Sequence, residues 1–204
     1  MPGAILVLSG PSGAGKSTII HTASDAIGEY YFSISTTTRS PRVGESDGKD
    51  YFFVSRESFE EDIKLGNFLE YAQVHGNYYG TSLKPVEAAL KKGKLVIFDI
   101  DVQGHRLIRE KLNGITTSVF VTPPTLVELE ERLHSRRTDD DAVIQKRLSN
   151  ATEEICAISE YDFVIVNGTV EQAATEFIIV ANAARLKCSR DEEEAFIKKW
   201  LGDK

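Results

Sequence analysis

The chain has 204 residues, a formal net charge of −7 and two cysteines. This length fits one globular domain with a substantial core, and the acidic balance argues against a broad surface for nucleic acid or anionic membranes. No apolar run reaches the roughly 18 residues of a transmembrane helix, and the first residues predict a strand and not a leader segment. Cys156 and Cys188 lack metal-type spacing, so we expect unpaired thiols in a reducing cytoplasm.

Strands and helices are predicted to alternate along most of the chain. In chain order the predicted strands are 4–8, 30–35, 50–54, 68–74, 95–99, 117–121 and 163–166. The predicted helices are 19–26, 55–65, 84–90, 102–112, 125–136, 142–159, 170–186 and 191–201. Four of the strands are continuous apolar runs, which is typical of strands buried on both faces of a parallel sheet. The fold class is therefore α/β, a parallel central sheet with helices on both faces and ligands at the carboxyl ends of the strands.

Several local features are predicted along these elements. Ser58 and Glu61 are a possible capping pair in the helix that Ser55 opens. Residues 77–81 are predicted to form a turn. In the carboxyl-terminal helix the residues expected to dock on the body of the protein are Phe196, Trp200 and Leu201.

A phosphate-binding loop follows the first strand. The segment fits G-x-x-x-x-G-K-[ST] at every defined position and lies between a predicted strand and a predicted helix. Backbone N–H groups of such a loop bind phosphate oxygens, Lys16 reaches the β- and γ-phosphates, and the Ser17 hydroxyl ligates Mg²⁺. The predicted nucleotide-binding residues are Gly10, Pro11, Ser12, Gly13, Ala14, Gly15, Lys16, Ser17 and Thr18.

Two further features indicate phosphorylated ligands. The strand at 95–99 ends in Asp99, the usual position of a second metal-side acid in phosphate-loop proteins, and Asp101 points the same way in an extended chain. The basic residues form local groups in an otherwise acidic chain, which suggests small, multiply phosphorylated ligands. These groups are Arg39 with Arg42, and Arg132 with Arg136, Arg137 and Arg147.

The chain resembles guanylate kinases over nearly its whole length. The blocks that carry the resemblance are 10–18, 37–42 with 48–51, 68–70 with 76–81, and 99–104. The first block is shared with many nucleotide enzymes, whereas the other three together are specific to this family. The resemblance implies a P-loop kinase fold with a core (1–34, 83–124 and 151–204), an inserted β-rich GMP-binding lobe (35–82) and a helical lid (125–150). It also implies transfer of the γ-phosphoryl group of ATP to GMP with Mg²⁺.

The resemblance assigns a set of GMP-binding residues whose chemistry fits the ligand. Forked arginine donors suit a phosphate, phenolic hydroxyls add neutral donors, and the Glu70 carboxylate accepts from both N1–H and N2–H₂ of guanine. Asp101 is a further acceptor for the 2-amino group, and the Ser35 and Thr81 hydroxyls suit the O6/N7 side. The assigned residues are Ser35, Arg39, Arg42, Tyr51, Glu70, Tyr79, Gly80, Thr81 and Asp101.

By the same resemblance, lid arginines neutralise the transferred phosphoryl group. The catalytic set is Lys16, Arg39, Arg132, Arg136 and Arg147, with Ser17 and Asp99 at the metal and Asn167 beside adenine. The family commonly has glycine where this chain has Arg137, which leaves open whether Arg136 or Arg137 contacts adenine.

Two alternatives to a guanylate kinase remain at this point. A non-catalytic interaction module of this fold usually has a degraded phosphate loop, whereas Lys16 and Ser17 are intact here. A kinase for AMP or dTMP is disfavoured by Glu70, Ser35 and Asp101. The sequence does not settle whether dGMP is accepted or what oligomer the chain forms.

Overall fold

The computed structural model describes residues 3–74, 76–135 and 140–202. The strands are β1 (Ala4–Ser9), β2 (Tyr30–Phe32), β3 (Thr36–Thr37), β4 (Phe52–Phe53), β5 (Phe68–Val74), β6 (Asn77–Ser82), β7 (Leu95–Asp99), β8 (Thr116–Thr122) and β9 (Phe163–Val166). The helices are α1 (Lys16–Ala23), α2 (Arg56–Lys64), α3 (Leu83–Lys91), α4 (Val102–Leu112), α5 (Leu126–Ser135), α6 (Asp141–Glu154), α7 (Val170–Arg185) and α8 (Arg190–Leu201).

A parallel five-stranded sheet in the order β2-β7-β1-β8-β9 forms the centre of the fold. Leu6 and Leu8 of β1 point to one face, where they join a core cluster with α1 and α7. Ile5 and Val7 point to the other face, where α3 and α4 cover them. Every residue of β1 is buried, so the continuous apolar run follows from helices covering both faces. The predicted fold class is confirmed.

A second, four-stranded sheet in the order β4-β3-β6-β5 is built from residues 36–82. The predicted turn at 77–81 is wrong, because these residues form most of β6, which pairs antiparallel with both β3 and β5. A polar segment that contains glycine is typical of a turn in isolation. Here the two neighbouring strands supply the backbone hydrogen bonds: β5 lies just before β6 in the chain, whereas β3 lies about 40 residues earlier.

An aromatic cluster anchors this second sheet to α2. The Phe59 ring is fully buried and stacks on Phe68 and Tyr78, with ring centroids 4.1 and 5.1 Å away. Helix α2 begins after Ser55, whose side chain accepts a hydrogen bond from the Ser58 N–H. The predicted capping role of Ser58 is therefore wrong, because Ser58 lies inside the first turn.

The carboxyl-terminal third differs from the sequence prediction in three places. Helix α6 ends at Glu154, and the chain continues as a 3₁₀ helix over Ile155–Glu160. In β9 only Ile165 is buried, because β9 is an edge strand of the central sheet. The docking predicted for the last helix is wrong, because its large apolar side chains are 62–76% exposed. These side chains are Phe196 (65%), Trp200 (76%) and Leu201 (62%).

Candidate active site

The phosphate-binding loop connects β1 to α1 at the carboxyl edge of the central sheet. Gly10 and Gly15 have φ values of +138° and +90°, a region that favours glycine. A Cβ on Gly10 would come within 1.9 Å of the Val121 carbonyl oxygen, and one on Gly15 within 2.4 Å of Asn167 Nδ2. The loop therefore packs too closely on β8 and on the residue after β9 to carry side chains at these positions.

This loop lines a cavity of about 400 Å³. Its lining residues are Gly10, Pro11, Ser12, Gly13, Gly15, Lys16, Ser17, Thr18, Asp99, Ile100, Asp101 and Glu154. The Lys16 ammonium donates to the Gly10 carbonyl at 2.6 Å and lies 3.6 Å from Asp99 Oδ1. The register that pairs Leu8 with Asp99 places the end of β7 beside the start of the loop, so the structure brings the predicted phosphate and metal residues together.

The carboxylates of this cavity are suited to a cation. Burial raises the pKa of Asp99, and the Lys16 ammonium opposes that rise. No cluster of three or more metal-ligating side chains occurs in 3–74, 76–135 and 140–202. Mg²⁺ commonly uses one or two protein oxygens and completes its shell with water and substrate phosphates. The Ser17 hydroxyl and the Asp99 carboxylate, which line one cavity, therefore fit such an ion.

Glu154 lines the same cavity and was missed by sequence reasoning. Arg147, Asn150 and Glu154 are spaced three and four residues apart on α6, so they share one face of that helix. Burial raises the pKa of Glu154, Lys16 opposes the rise, and Asp101 adds to it. The signal was present in the sequence as a polar stripe beside the apolar stripe of α6, but the phosphate loop it faces is distant in the chain.

A second cavity of about 460 Å³ adjoins the first, and the two share Ile100 and Asp101. Its lining residues are Leu69, Glu70, Tyr71, Ala72, Thr81, Ile100, Asp101, Gln103, Gly104 and Leu107. The Thr81 hydroxyl donates to Glu70 Oε1 at 2.7 Å, which orients the carboxylate. Asp101 Oδ1 accepts from the Gly104 N–H at 2.8 Å, which fixes that carboxylate at the start of α4.

Arg39 lies among aromatic rings near the strands of the smaller sheet. Its guanidinium is 5.4 Å from the centre of the Tyr51 ring, and the Tyr51 and Tyr79 rings meet edge to face at 6.1 Å. Arg39 Nη2 donates to Glu45 Oε1 at 2.8 Å. The structure thus groups three of the predicted phosphate ligands and adds Glu45, which sequence reasoning missed. The signal that would have found it is an acid three residues after Arg42, in a loop otherwise assigned to phosphate.

Three other predicted GMP ligands do not line either cavity. The Arg42 residue is exposed. Ser35 is half-buried and does not line either cavity; its carbonyl accepts from the Phe52 N–H. Gly80 lies inside the smaller sheet, paired with Thr36 and Tyr71. The roles of these three residues in binding GMP stay predictions.

The family model and the curated relatives indicate the same family. The guanylate kinase family model matches residues 3–182. The chain is 58% identical to a guanylate kinase of Sulfurimonas denitrificans over 97% of this chain and 96% of that protein. It is 52% identical to one of Wolinella succinogenes, over 97% and 92%. The chain belongs to the guanylate kinase family. A crystal structure of guanylate kinase from Anaplasma phagocytophilum, 34% identical, superposes with a TM-score of 0.67 and covers 91% of this chain and 88% of that one.

Two arginines of the predicted lid, Arg132 and Arg147, contact the phosphate loop or the residue that supports it in this guanylate kinase family member. Arg147 Nη1 donates to the Ser12 hydroxyl at 2.7 Å. Arg132 donates to the Asn167 carbonyl at 2.7 Å and also pairs with Glu128. Arg136 lies outside the described residues, as does Arg137, so the assignment between them stays a prediction.

Asn167 lies behind the phosphate loop of this family member and does not line its cavity. The residue is 2% exposed, and its Nδ2 donates to the Ala14 carbonyl at 2.8 Å. Because a buried carbonyl without a partner costs free energy, this bond stabilises the loop conformation. The predicted contact of Asn167 with adenine stays a prediction.

Among the described residues no helix is both long and apolar enough to cross a membrane.

Proposed function

We propose that this chain transfers the γ-phosphoryl group of ATP to GMP, giving ADP and GDP, as guanylate kinases do with Mg²⁺. The observation that carries the proposal is a pair of adjoining cavities that share Ile100 and Asp101. One is formed by a phosphate loop and the other contains a carboxylate held by Thr81. Two nucleotides bound in these cavities would meet end to end at the edge of the central sheet.

ATP binds at the phosphate loop in this proposal. Backbone N–H groups of 10–18 and the amino-terminal end of α1 bind the phosphate oxygens. Lys16 exchanges its contact with the Gly10 carbonyl for the β- and γ-phosphates. Ser17 and Asp99 would hold Mg²⁺, which would neutralise charge on the transferred group. Asn167 supports the loop from behind, and its predicted place beside adenine remains part of the proposal.

GMP binds in the second cavity and extends towards Arg39. Glu70 accepts from N1–H and N2–H₂ of guanine, Asp101 is a further acceptor for the 2-amino group, and Thr81 orients Glu70. Adenine offers neither of these donors, so bound AMP would leave the Glu70 carboxylate unpaired, which disfavours AMP strongly. The remaining proposed ligands are Ser35 and Gly80 near the base, and Arg39, Arg42, Tyr51 and Tyr79 at the phosphate.

Catalysis consists of alignment and charge neutralisation. The attacking GMP phosphate is already anionic, so the reaction needs no side chain to remove a proton. Lys16, Arg39, Arg132, Arg136 and Arg147 are proposed to surround the transferred group. The proposed units are the core (1–34, 83–124 and 151–204), the GMP-binding lobe (35–82) and the lid (125–150). Closure of the lid excludes water, which would otherwise hydrolyse ATP.

The decisive experiment is an ADP-release assay with ATP, Mg²⁺ and a panel of monophosphates. We expect rapid ADP formation with GMP, and kcat/KM at least ~10³-fold lower with AMP and dTMP, because neither base pairs with Glu70 in the same way. Including dGMP decides whether the ribose 2′-hydroxyl is read. Equal use of AMP and GMP would refute the assignment of the second cavity to guanine. If no ADP formed with any acceptor, the proposed kinase activity would be refuted.

A further inference from the structure

Glu45 brings a negative charge into the corner proposed to bind the GMP phosphate. Its Oε1 accepts from Arg39 Nη2 at 2.8 Å, and its Oε2 accepts from the Arg42 backbone N–H at 2.7 Å. The Glu45 N–H in turn donates to the Arg42 carbonyl at 3.0 Å, which closes a tight turn. The Arg39 and Glu45 side chains are only 14% and 19% exposed, so this ion pair is much more enclosed than an ordinary surface pair.

The pair is charged at neutral pH. The hydrogen bond from Arg39 and that from the Arg42 N–H hold the pKa of Glu45 below its usual range. The hydrogen bond to Glu45 also raises the pKa of Arg39. An anion this close would repel a phosphate if it faced the ligand directly. Glu45 binds the Nη2 side of the guanidinium while Nη1 donates to the Ser40 carbonyl at 2.7 Å, so Glu45 and Ser40 together fix the orientation of the guanidinium plane.

We infer that Glu45 is a positioning residue that fixes the Arg39 guanidinium beside Tyr51 and Tyr79 for the phosphate of GMP. The inference rests on the proposed function. A free arginine loses side-chain rotamer entropy when it is immobilised. Glu45 immobilises Arg39 before the ligand arrives, so GMP binding does not bear that cost. Glu45 acts through Arg39 and does not contact the substrate.

The chemistry requires a carboxylate and not an amide at this position. Both groups that face Glu45, the Arg39 Nη2 and the Arg42 N–H, are donors. A carboxylate offers two acceptor oxygens, whereas a glutamine amide offers one oxygen and one NH₂. In Glu45→Gln, one of the two donors must therefore face another donor. Either the guanidinium is released or the turn at Arg42 opens, although the side chain keeps its size.

The test compares GMP with guanosine, which lacks the phosphate, in binding measurements on the full chain. For Glu45→Gln we expect GMP affinity to fall by about 10-fold or more, since one bond to a charged group is lost. Guanosine and ATP affinities should change less than about 2-fold. The matched control is Asp50→Asn, because Asp50 Oδ2 accepts the Ser46 N–H in the same loop at 2.8 Å. That control removes the same charge and should leave GMP binding unchanged.

A double-mutant cycle separates positioning from a general effect on the loop. In an Arg39→Ala background, Glu45→Gln should cause no further loss of GMP affinity, because the guanidinium it positions is gone. Guanosine binding reports that the lobe is folded in each variant. If Glu45→Gln does not fold, Glu45→Asp replaces it; its shorter side chain cannot reach both donors, so the same selective loss is expected.

Three results would overturn the inference: equal loss for guanosine and GMP, full loss in the Arg39→Ala background, or unchanged GMP affinity. Failure of the proposed function looks different, because the unmodified protein would then bind AMP as well as GMP. A protein that selects GMP but is indifferent to Glu45→Gln would refute only the positioning role.

Discussion

Glu70→Gln tests the guanine assignment at one atom. The Thr81 hydroxyl already donates to Oε1 at 2.7 Å, and the two carboxylate oxygens still have lone pairs for the two guanine donors, one at each oxygen. If the glutamine oxygen stays with Thr81, its NH₂ faces one of these donors. If the amide flips, the Thr81 hydroxyl accepts from the NH₂ and the single oxygen binds one guanine donor, while the NH₂ faces the other. The variant therefore loses at least one ligand hydrogen bond and weakens the other by removing the charge.

The expected magnitude follows from these two losses. Hydrogen bonds to charged groups contribute about 1.5–3 kcal/mol and neutral ones about 1 kcal/mol. Losing one and neutralising the other amounts to about 2–4 kcal/mol, or roughly 30- to 1000-fold in kcat/KM for GMP. IMP carries N1–H but no 2-amino group, so it makes one of the two bonds in the unmodified protein. In Glu70→Gln, kcat/KM for IMP should therefore fall only about 10-fold. The ratio of kcat/KM for GMP to kcat/KM for IMP should then be smaller than in the unmodified protein.

The assay is steady-state ADP release with GMP or IMP varied at saturating ATP. The matched control is Glu87→Gln, an exposed carboxylate on α3, which should change neither kcat/KM. If kcat/KM fell by the same factor for GMP and IMP, Glu70 would not read the 2-amino group. If the KM for ATP rose as much as that for GMP, the cavities would not be separate sites, and the reasoning would be refuted.

Three further predictions address the loop, the smaller sheet and acid stability. Lys16→Ala should abolish turnover and leave GMP affinity within about 3-fold, as measured by calorimetry; equal loss of both would contradict separate cavities. Phe59→Ala should destabilise by about 3–5 kcal/mol and raise the KM for GMP more than that for ATP. Phe59→Leu should cause a smaller loss of stability and a smaller rise in the KM for GMP. An unchanged thermal midpoint in Phe59→Ala would contradict the buried stack on Phe68. Burial raises the pKa of Asp162, but hydrogen bonds from Ser118 and the Arg109 guanidinium together outweigh burial and leave that pKa lowered. The ionised Asp162 carboxylate therefore stabilises the folded protein. This contribution is complete above about pH 4 and is lost as the pH falls through the lowered pKa of Asp162. In urea unfolding, Asp162→Asn should therefore be less stable than the unmodified protein at pH 7, and the difference should shrink as the pH falls below about 4; a constant difference would contradict this.

The central sheet was predictable because its signals are local. Every residue of β1 is buried, because helices cover both faces of the sheet. The apolar run of β1 can therefore be recognised without knowing which strands lie beside it. The phosphate loop combines fixed glycine positions with a strand before it and a helix after it. Strand β6 was not predicted, because one of its two hydrogen-bond partners, β3, lies about 40 residues earlier in the chain. Its own composition is that of a turn.

The polar contacts of the site were less predictable than its backbone. Lys16 and Asp99 are found from a motif and from the end of an apolar run. Glu45 and Glu154 acquire their roles only from what they face, which is Arg39 for the first and the phosphate loop for the second. The exposed apolar residues of α8 show the same limit, because an amphipathic pattern indicates a face but not what covers it.

The end of β7 links the two halves of the proposed reaction. Asp99 faces Lys16 at 3.6 Å, and Ile100 and Asp101 line both cavities. The backbone of Asp101 is held by α4, since its carbonyl accepts from the His105 N–H, and its carboxylate accepts from the Gly104 N–H. Because one short, rigid segment borders both cavities, the donor and acceptor sites are fixed relative to each other on that side. Motion that brings the nucleotides together would then involve the opposite walls, which are the smaller sheet at the second cavity and helix α6, whose Glu154 lines the first.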